Sequence, residues 1–211
     1  MTRPIVVLGG GGHARVVIEA LRAAGQFTPV GVLDPAASGD IDGVPVRGGD
    51  EVLPQLLAEG VDAAAVGVGS VGDSAVRRRL HDRAVCLGLE LPPIVHPRAW
   101  VAATAQLEAG CMVAAGAVIG PGARLGEGAL VNSNSVIDHD CVVGAFAHIA
   151  PGAVLSGGVV VGAGAHVGTG AAVVQGISIG NDAVVGAGAA VIADVPAGAV
   201  AVGVPARFDT R

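Results

Sequence analysis

From Val101 onward, an aliphatic residue recurs at every sixth position of the chain, sixteen times in succession. A period of six matches neither the period of an amphipathic helix nor the two-residue alternation of a strand. It is typical of a hexapeptide β-helix, in which three hexads close a coil of 18 residues and the aliphatic side chains fill a narrow core. The positions are Val101, Leu107, Val113, Ile119, Leu125, Val131, Ile137, Val143, Ile149, Leu155, Val161, Val167, Val173, Ile179, Val185 and Val191.

Glycine occupies two series of positions relative to these aliphatic residues. It follows them directly at 120, 126, 144, 162, 168, 180 and 186, and it stands three places after them at 110, 116, 122, 128, 152, 158, 164, 170, 176 and 188. We expect both series at the corners of the coils, because glycine accepts a positive φ without steric cost.

The first 95 residues lack this repeat and are predicted to form an α/β domain. Buried strands are predicted at residues 5–8, 30–33 and 63–68, and helices at 14–24, 51–58 and 74–87. Strand, helix and strand in succession make a βαβ unit, so the predicted fold class is a Rossmann-like α/β domain followed by a parallel β-helix. Two consecutive prolines at 92 and 93 mark the boundary. The predicted domains are therefore residues 1–95 and 96–196, with a C-terminal cap or tail at 197–211.

A run of glycines at residues 9–12 connects the first predicted strand to the first helix. Such a connection directs backbone N–H groups and the positive end of the helix dipole at a phosphate. The run lacks the last glycine of the dinucleotide fingerprint, but Asp34 ends the next strand about twenty residues on, where an acidic side chain receives ribose hydroxyls or a base. We predict nucleotide contacts at Gly10, Gly12, His13, Asp34 and Gly69. The alternative is a purely structural α/β cap, in which His13 only caps the helix.

The N-terminal domain is short for a dinucleotide-binding fold with two halves. A mononucleotide that carries a sugar is the better match for its length.

His139 lies between two carboxylates, Asp138 and Asp140, in a region with few charged residues. An imidazole accepts a proton near neutral pH, and a carboxylate bonded to its other nitrogen fixes the tautomer and stabilises the imidazolium. The pattern predicts His139 as a general base oriented by Asp140. The alternative is a group of exposed polar residues without a role in catalysis.

Residues 18 apart are predicted to stack on successive coils. His148 then lies against His166, and His139 lies against Gly157. Two stacked histidines raise a zinc site as an alternative, but zinc needs a further ligand, and His139 belongs to another corner of the coil. We therefore predict no metal, with a metal site shared between subunits as the remaining alternative.

Composition argues against several classes of partner. The net charge is −6, and residues 77–79 are the only basic cluster, which is expected on a solvated helix face, so no nucleic acid is predicted. No apolar run is long enough to span a membrane or to act as a secretory signal, and a cytoplasmic protein is expected. The three cysteines form no zinc or disulfide pattern and are expected to be buried, whereas His81 is expected at the surface.

The hexapeptide series, residues 132–144 and residues 203–207 resemble the bacterial sugar O- and N-acetyltransferases, and residues 9–17 are similar to the start of that family. The likeness covers nearly the whole chain. It is close to the enzymes that acetylate the 4-amino group of UDP-linked bacillosamine precursors or of GDP-perosamine. The resemblance implies a left-handed β-helix, acetyl-CoA as co-substrate, no metal, and a homotrimer with active sites between neighbouring prisms.

The resemblance also implies roles for single residues. His139 would be the general base, and Asp140 would take the place of an acidic residue that is often Glu. His148, with His166 stacked on it, would lie near the acetyl thioester. The Gly157 amide would stabilise the oxyanion, and Val204 and Pro205 would lie near the coenzyme. His13 and Asp34 would contact the nucleotide sugar.

Together these features predict an acetyl-CoA-dependent N-acetyltransferase that acts by direct transfer on the 4-amino group of a UDP- or GDP-linked amino-deoxy sugar. No cysteine stands beside a base in a nucleophile motif, which agrees with direct transfer. Two alternatives stay open: an O-acetyltransferase acting on sialic acid or a related sugar hydroxyl, and a non-catalytic trimeric scaffold.

Overall fold

The computed structural model describes residues 2–209. Met1, at the start of the predicted N-terminal domain, and Thr210 and Arg211, at the end of the predicted tail, lie outside the described residues. Two compact units are present. The first comprises the described residues up to Gly69 together with Ala75–Pro97, and the second comprises Ser70–Ser74 together with the described residues from Arg98 onward. The chain thus enters the second unit twice, whereas the sequence indicated one boundary.

The first unit is an α/β fold built on a five-stranded sheet of order β3-β4-β2-β1-β5. Strand β1 runs parallel to β2 and β5, and β4 runs parallel to β2. The predicted βαβ unit is therefore confirmed. The elements of the first unit are β1 Arg3–Leu8, α1 Gly12–Ala24, β2 Phe27–Leu33, β3 Asp40–Ile41, β4 Val44–Gly48, a 3₁₀ turn at Asp50–Val52, α2 Leu53–Ala58, β5 Ala64–Val66, α3 Ala75–Cys86 and β6 Ile94–Val95.

Helix α1 forms because its apolar residues recur at helical spacing. Ala14, Val17, Ile18 and Leu21 are buried, which is the i, i+3, i+4, i+7 stripe of an amphipathic helix. The helix ends at Gly25, whose φ of 67° is the left-handed conformation common at helix C-termini. None of the helices within residues 2–209 has the length and apolar character that crossing a membrane requires.

The hairpin formed by β3 and β4 was not predicted from the sequence. These strands pair antiparallel across Asp42 and Gly43, both of which have positive φ. An Asp-Gly pair between apolar residues is a strong hairpin signal, so the local sequence did contain the information.

Helix α3 corrects three expectations. Arg77, Leu80, His81 and Ala84 form its buried face, so Arg77 and His81 are not on a solvated surface. Their spacing is that of an amphipathic stripe, but two polar residues occupy core positions, and composition alone therefore assigned them to solvent. Cys86, at the C-terminal end of the helix, is exposed rather than buried, whereas Cys111 and Cys141 are buried as expected.

The second unit is a parallel β-helix in which every hexad supplies one two-residue strand. The strands are β7 Trp100–Val101, β8 Gln106–Leu107, β9 Met112–Val113, β10 Val118–Ile119, β11 Arg124–Leu125, β12 Leu130–Val131, β13 Val136–Ile137, β14 Val142–Val143, β15 His148–Ile149, β16 Val154–Leu155, β17 Val160–Val161, β18 His166–Val167, β19 Ala172–Val173, β20 Ser178–Ile179, β21 Val184–Val185 and β22 Ala190–Val191.

These strands stack into three faces. The first face is β7, β10, β13, β16, β19 and β22; the second is β8, β11, β14, β17 and β20; the third includes β9, β12, β15, β18 and β21. Residues 18 apart are paired, as in Ile119 with Ile137 and Ile137 with Leu155, and these side chains are fully buried. The predicted coil and its aliphatic core are confirmed, except that Val101 and Leu107 at its start are only half-buried.

The C-terminal residues extend and then end the third face. Strand β23 (Val200–Val202) adds to β21 in parallel, and β24 (Arg207–Asp209) folds back antiparallel on β23. Val204 and Pro205 lie in the turn between these two strands.

The two glycine series serve different physical needs. The ten glycines three places after the aliphatic residue all have φ between 62° and 73°, as expected for corners. The glycines directly after the aliphatic residue do not have positive φ. A Cβ at Gly144, for example, would come within 2.6 Å of the Ala163 nitrogen on the next coil. The glycines directly after the aliphatic residue are therefore required for space between coils and not for conformational freedom.

Candidate active site

A histidine and a carboxylate meet at the corner between the first and second faces. His139 Nδ1 lies 2.9 Å from Asp140 Oδ2. Asp140 adopts a left-handed conformation with φ of 58°, and its backbone N–H donates to the Pro121 carbonyl. The side chains of His139 and Asp140 are 60% and 75% exposed. The left-handed corner thus turns two sequence neighbours toward each other, and the short aspartate reaches the ring.

The electrostatics of the pair favour a basic imidazole. The hydrogen bond that the His139 ring donates to Asp140 raises the pKa of His139, and the negative charge of Asp138 raises it further. The Asp138 Oδ1 atom also accepts the backbone N–H of His139 at 2.7 Å. With Nδ1 committed to Asp140, Nε2 is the nitrogen left to take a proton, and it makes no hydrogen bond to any residue from 2 to 209.

Two glycines make room for the pair. A Cβ at Gly157, on the next coil, would overlap the His139 ring at Nε2, and a Cβ at Gly122, on the coil before, would lie 2.7 Å from Asp140 Oδ1. The predicted alignment of His139 with Gly157 is thus present. The His139 ring lies over the Gly157 backbone because no side chain stands in its way.

The backbone amide of Gly157 is not used by the coil. His139 and Gly157 each stand two places after an aliphatic residue of the repeat. At this position the backbone N–H makes no hydrogen bond to the backbone of a neighbouring coil, and that of His139 donates to the Asp138 side chain. The Gly157 N–H donates to no group in the described part of the chain. An uncommitted N–H beside Nε2 of a basic histidine can serve an oxygen that gains negative charge.

The third face holds the second pair of histidines. His148 pairs with His166 on successive coils, with ring centroids 4.9 Å apart in an edge-on arrangement. Both are buried. They line a cavity of about 300 Å³ together with Val71, Pro151, Thr169 and Ala187. His139 and His148 therefore lie on different sides of the prism in one chain.

Two groups that the sequence did not single out hold His148. Its Nδ1 lies 2.6 Å from the Ser70 carbonyl oxygen, and its Nε2 lies 3.3 Å from Asn132 Nδ2. The 18-residue period pairs His148 with Leu130, and Asn132 follows Leu130 by two residues, so the period could have placed Asn132 near His148. Ser70 precedes the repeat by many residues, and no sequence signal connects it to His148.

The glycine turn of the first unit is held by Asp34. The N–H of Gly10 donates to Asp34 Oδ2 at 2.7 Å, and the N–H of Ala36 donates to Asp34 Oδ1 at 2.9 Å. A Cβ at Gly10 would lie 3.0 Å from the Asp34 side chain, whereas one at Gly11 or Gly12 would meet no atom within 4 Å. Packing explains the first of these glycines but not the other two, which border open space.

The start of α1 has the features of an anion site. Gly11 is its N-cap, no side chain caps it, and its first turn carries no acidic residue. His13 lies in that turn with its Cβ against Gly69. Burial lowers the pKa of His13 to about 4, and the nearby Arg77 contributes. Burial also lowers the pKa of Arg77 to about 10. An anion over this turn would offset the desolvation of both groups.

A cavity of about 370 Å³ lies at the same edge of the sheet. It is lined by Gly9, Asp34, Asp50, Glu51, Val68 and Arg79, among others. Ligand sites in open α/β sheets occur at the carboxyl ends of the strands, where β1 and β2 end. The cavity has the volume of a small-molecule site.

The described residues of one chain contain no cluster of metal-binding side chains, and the two buried cysteines have raised thiol pKa values. No group of three or more His, Cys, Asp and Glu side chains within residues 2–209 could hold a metal ion. Burial raises the pKa of Cys111 to about 12 and also raises that of Cys141, which disfavours the thiolate that a nucleophile requires.

Two known families match parts of the chain. The PglD N-terminal domain matches residues 4–84, and the bacterial transferase hexapeptide, of six repeats, matches residues 122–157. A search of curated proteins gave no significant match. A PglD-type α/β domain joined to hexapeptide coils with a His–Asp pair at one corner defines an acyltransferase of the hexapeptide class.

Several solved structures share the fold over nearly the whole chain. PerB from Caulobacter crescentus, in complex with CoA and GDP-perosamine, is 41% identical with a TM-score of 0.92, covering 98% of this chain and 97% of that chain. The acetyltransferase domain of PglB from Neisseria gonorrhoeae, in complex with acetyl coenzyme A, is 37% identical with a TM-score of 0.93, covering 99% and 100%. WeeI from Acinetobacter baumannii is 27% identical with a TM-score of 0.78, covering 98% and 100%.

The chain therefore belongs to the family of hexapeptide acetyltransferases that includes PerB and the PglB acetyltransferase domain. Its second unit is a left-handed parallel β-helix, and the predicted fold class is confirmed.

Proposed function

We propose that this protein transfers the acetyl group of acetyl-CoA to the 4-amino group of a nucleotide-linked amino-deoxy sugar, with His139 as the general base. The family gives the reaction class: PerB was solved with CoA and GDP-perosamine, an aminosugar linked to a nucleotide. The observation in this chain that carries the proposal is the His139–Asp140 pair, whose free Nε2 lies beside an uncommitted backbone N–H.

The proposed chemistry is direct transfer. The neutral sugar amine attacks the thioester carbonyl, and His139 Nε2 takes the amine proton as the new C–N bond forms. The carbonyl oxygen gains negative charge and accepts the Gly157 N–H. When the oxyanion collapses, the C–S bond breaks, and the departing thiolate takes up a proton from the imidazolium. Asp140 holds Nδ1–H and stabilises the imidazolium between these steps.

We propose that acetyl-CoA binds along the β-helix, with no metal. The third-face cavity with His148 and His166 is the proposed site for the acetyl thioester end, and Val204 and Pro205 are proposed coenzyme contacts. Val204 is 76% exposed at the turn between β23 and β24, so its side chain is accessible to a ligand.

The nucleotide is proposed to bind the first unit. Gly10 belongs to the turn, which Asp34 holds in place, and Gly12 begins α1. His13 and Gly69 lie against each other beside the turn. The uncapped helix start and the poorly solvated His13 and Arg77 favour a diphosphate at this position. The base, uracil or guanine, is left to the experiment below.

We also propose that the enzyme is a homotrimer and works in the cytoplasm, where acetyl-CoA is available. His139 lies at the corner between the first and second faces and His148 lies on the third face, so a neighbouring prism is needed to bring the two together. The first face offers a continuous apolar row for such a contact: its outward residues are Trp100, Val118, Val136, Val154, Ala172 and Ala190.

The test is release of CoA from acetyl-CoA, with UDP-linked and GDP-linked 4-amino-6-deoxy sugars and with free sialic acid as acceptors. We expect turnover with one nucleotide aminosugar and a loss of about 100-fold or more in kcat for His139→Ala. Thermal melting of the variant controls for folding. Turnover with sialic acid alone would replace the proposal by O-acetylation, and an unchanged kcat in His139→Ala would remove His139 as the base.

A further inference from the structure

His148 is held on both ring nitrogens, and its partners define where its proton lies. Nδ1 is 2.6 Å from the Ser70 carbonyl oxygen, which can only accept a hydrogen bond. Nε2 is 3.3 Å from Asn132 Nδ2, which can only donate. The ring satisfies both partners only when Nδ1 carries the proton and Nε2 carries the lone pair.

The orientation of the Asn132 carboxamide is fixed independently. The backbone N–H of Ser133 donates to Asn132 Oδ1 at 2.8 Å. Because a backbone N–H cannot accept, the oxygen of the carboxamide must face Ser133, and its nitrogen must face His148. These three hydrogen bonds form a chain from Ser133 through Asn132 and His148 to Ser70. The Ser133 backbone N–H therefore determines which atom donates in each bond of the chain.

We propose that Asn132 is a positioning residue, which holds His148 as the neutral tautomer protonated at Nδ1 and so keeps the Ser70 carbonyl in place. This inference rests on the proposed function, in which the cavity beside His148 receives the acetyl thioester. Asn132 acts through His148 and need not touch either substrate.

The Ser70 carbonyl opens a segment that borders the cavity. Val71 lines the cavity with His148 and His166. Gly72 lies close to Val184, because a Cβ on Gly72 would be 3.6 Å from Val184 Cγ2. Ser70–Ser74 belongs to the same compact unit as the β-helix. The hydrogen bond to His148 thus fixes one wall of the cavity, and Asn132 fixes the hydrogen bond.

The chain of hydrogen bonds also separates the tasks of the two histidines. A proton on Nε2 of His148 would point at the Asn132 N–H groups and replace a hydrogen bond by the contact of two donors. His148 is therefore unsuited to take the amine proton, a step left to His139. The titratable side chain stacked on His148 is His166, and it also lies on the third face.

The direct test is ¹⁵N NMR of the full-length protein labelled in its histidine rings, with His148→Gln used to assign the signal. We expect the His148 ring of the unliganded wild type to show a protonated Nδ1 and an unprotonated Nε2 at pH 7. A ring protonated at Nε2 alone, or at both nitrogens, would overturn the inference. This spectrum needs no variant of Asn132 and no acetyltransferase activity.

The matched variants are Asn132→Asp and Asn181→Asp. Both asparagines accept a backbone N–H through Oδ1, from Ser133 and Ala163 respectively, so each substitution preserves that bond and adds one negative charge. A carboxylate in place of Asn132 accepts from Nε2, so the His148 ring should become protonated at both nitrogens. The Asn181 variant should leave the spectrum of His148 unchanged.

Activity gives a second readout. Asn132→Asp should lower kcat at least about tenfold through a misplaced cavity wall, whereas Asn181→Asp should retain the wild-type value. If Asn132→Asp does not fold, Asn132→Ala should give a mixture of His148 tautomers. An Asn132→Ala ring that keeps the wild-type tautomer would refute the positioning role. Absence of acetyl transfer in the wild type would instead count against the proposed function and leave the spectrum to decide this inference.

Discussion

The carboxylate beside His139 is the residue whose effect can be measured most directly. The hydrogen bond that the His139 ring donates to Asp140 is the largest cause of the raised pKa of His139. As the proposed general base, His139 works in its neutral form, so the rate should rise as pH increases through this raised pKa. Asp140→Asn removes the charge, and we expect kcat to fall about tenfold or more while the acidic limb of the pH–rate profile moves to lower pH.

Asp138→Asn is the matched control, because Asp138 carries the same charge but bonds the backbone of His139 and not its ring. Its pH–rate profile should shift less than that of Asp140→Asn. Equal shifts, or a shift of the Asp140 variant to higher pH, would show that the ring hydrogen bond does not set the basicity of His139.

Gly157 offers a test of the space that His139 occupies. Gly157→Ala places a methyl group where the ring lies, and we expect a loss of about 100-fold in kcat from the displaced base. Alanine stands at the equivalent corner positions 109, 145, 163 and 187, so the coil itself accepts the methyl group. The melting temperature should change little, and wild-type kcat in this variant would contradict the placement of the ring.

His13 should make the protein sensitive to acid. The pKa of His13 is about 4 in the folded protein against an ordinary value of 6.5, so the unfolded chain binds the proton first as pH falls. Stability is therefore lost between about pH 6.5 and 4, by at most about 3 kcal/mol. His13→Asn should remove this part of the acid sensitivity, measured as the difference between the two proteins' melting temperatures at pH 7 and 4.5. Parallel losses in both proteins would exclude His13 as the cause.

At the scale of elements, the coils could be predicted and the first unit only in part. Sixteen aliphatic residues at one spacing predict one arrangement, a coil that buries all of them except the half-buried Val101 and Leu107. Its 18-residue register placed Gly157 under His139. The buried face of helix α3 was not predicted correctly, because it includes Arg77 and His81. Burial of such residues depends on neighbours distant in sequence, which a local pattern does not contain.

The same limit explains what was missed in the site. Asp140 was identified beside His139, but the left-handed backbone that turns its carboxylate to the ring was not. Asp140 stands three residues after Ile137, and this is the corner position at which the backbone is left-handed. Glycine holds that place in most coils. The contact between Ser70 and His148 spans 78 residues and has no periodic signature, so only the folded structure discloses it.

The two glycine series predict different costs for the same substitution. Gly152→Ala adds a methyl group in open space at φ of 68° and should cost about 1–2 kcal/mol for the left-handed conformation. Gly144→Ala brings a Cβ to 2.6 Å from the Ala163 nitrogen and should cost more, because backbone on the next coil must shift. Melting temperatures at one protein concentration should fall further for Gly144→Ala. The reverse order would mean that conformational strain outweighs the spacing of coils.

For the whole molecule, the apolar row of the first face predicts where copies of the chain associate. Val154 and Val160 point outward on neighbouring faces and are 40% and 43% exposed. Val154 belongs to the all-apolar row, whereas the row of Val160 also contains Gln106, Arg124 and Ser178. Val154→Asp should dissociate the proposed trimer and abolish most activity, because a buried charge without a partner is costly. Val160→Asp should do neither.

Sedimentation or light scattering gives the mass of each variant. Dissociation by Val160→Asp and not by Val154→Asp would move the interface to the second face. A wild-type protein with the mass of one chain would contradict the trimer itself, and with it the meeting of His139 and His148 across two prisms.

The pairing of residues one coil apart restricts how the gene for such an enzyme can change in length. His139 and Gly157 meet because eighteen residues separate them, so losing a single hexad between them would rotate the rest of the chain by a third of a turn. The apolar row would then continue on a different face, and the imidazole would lie over another corner. We therefore expect hexads to be lost or gained inside the prism only as whole coils, and only outside the span that joins these two residues.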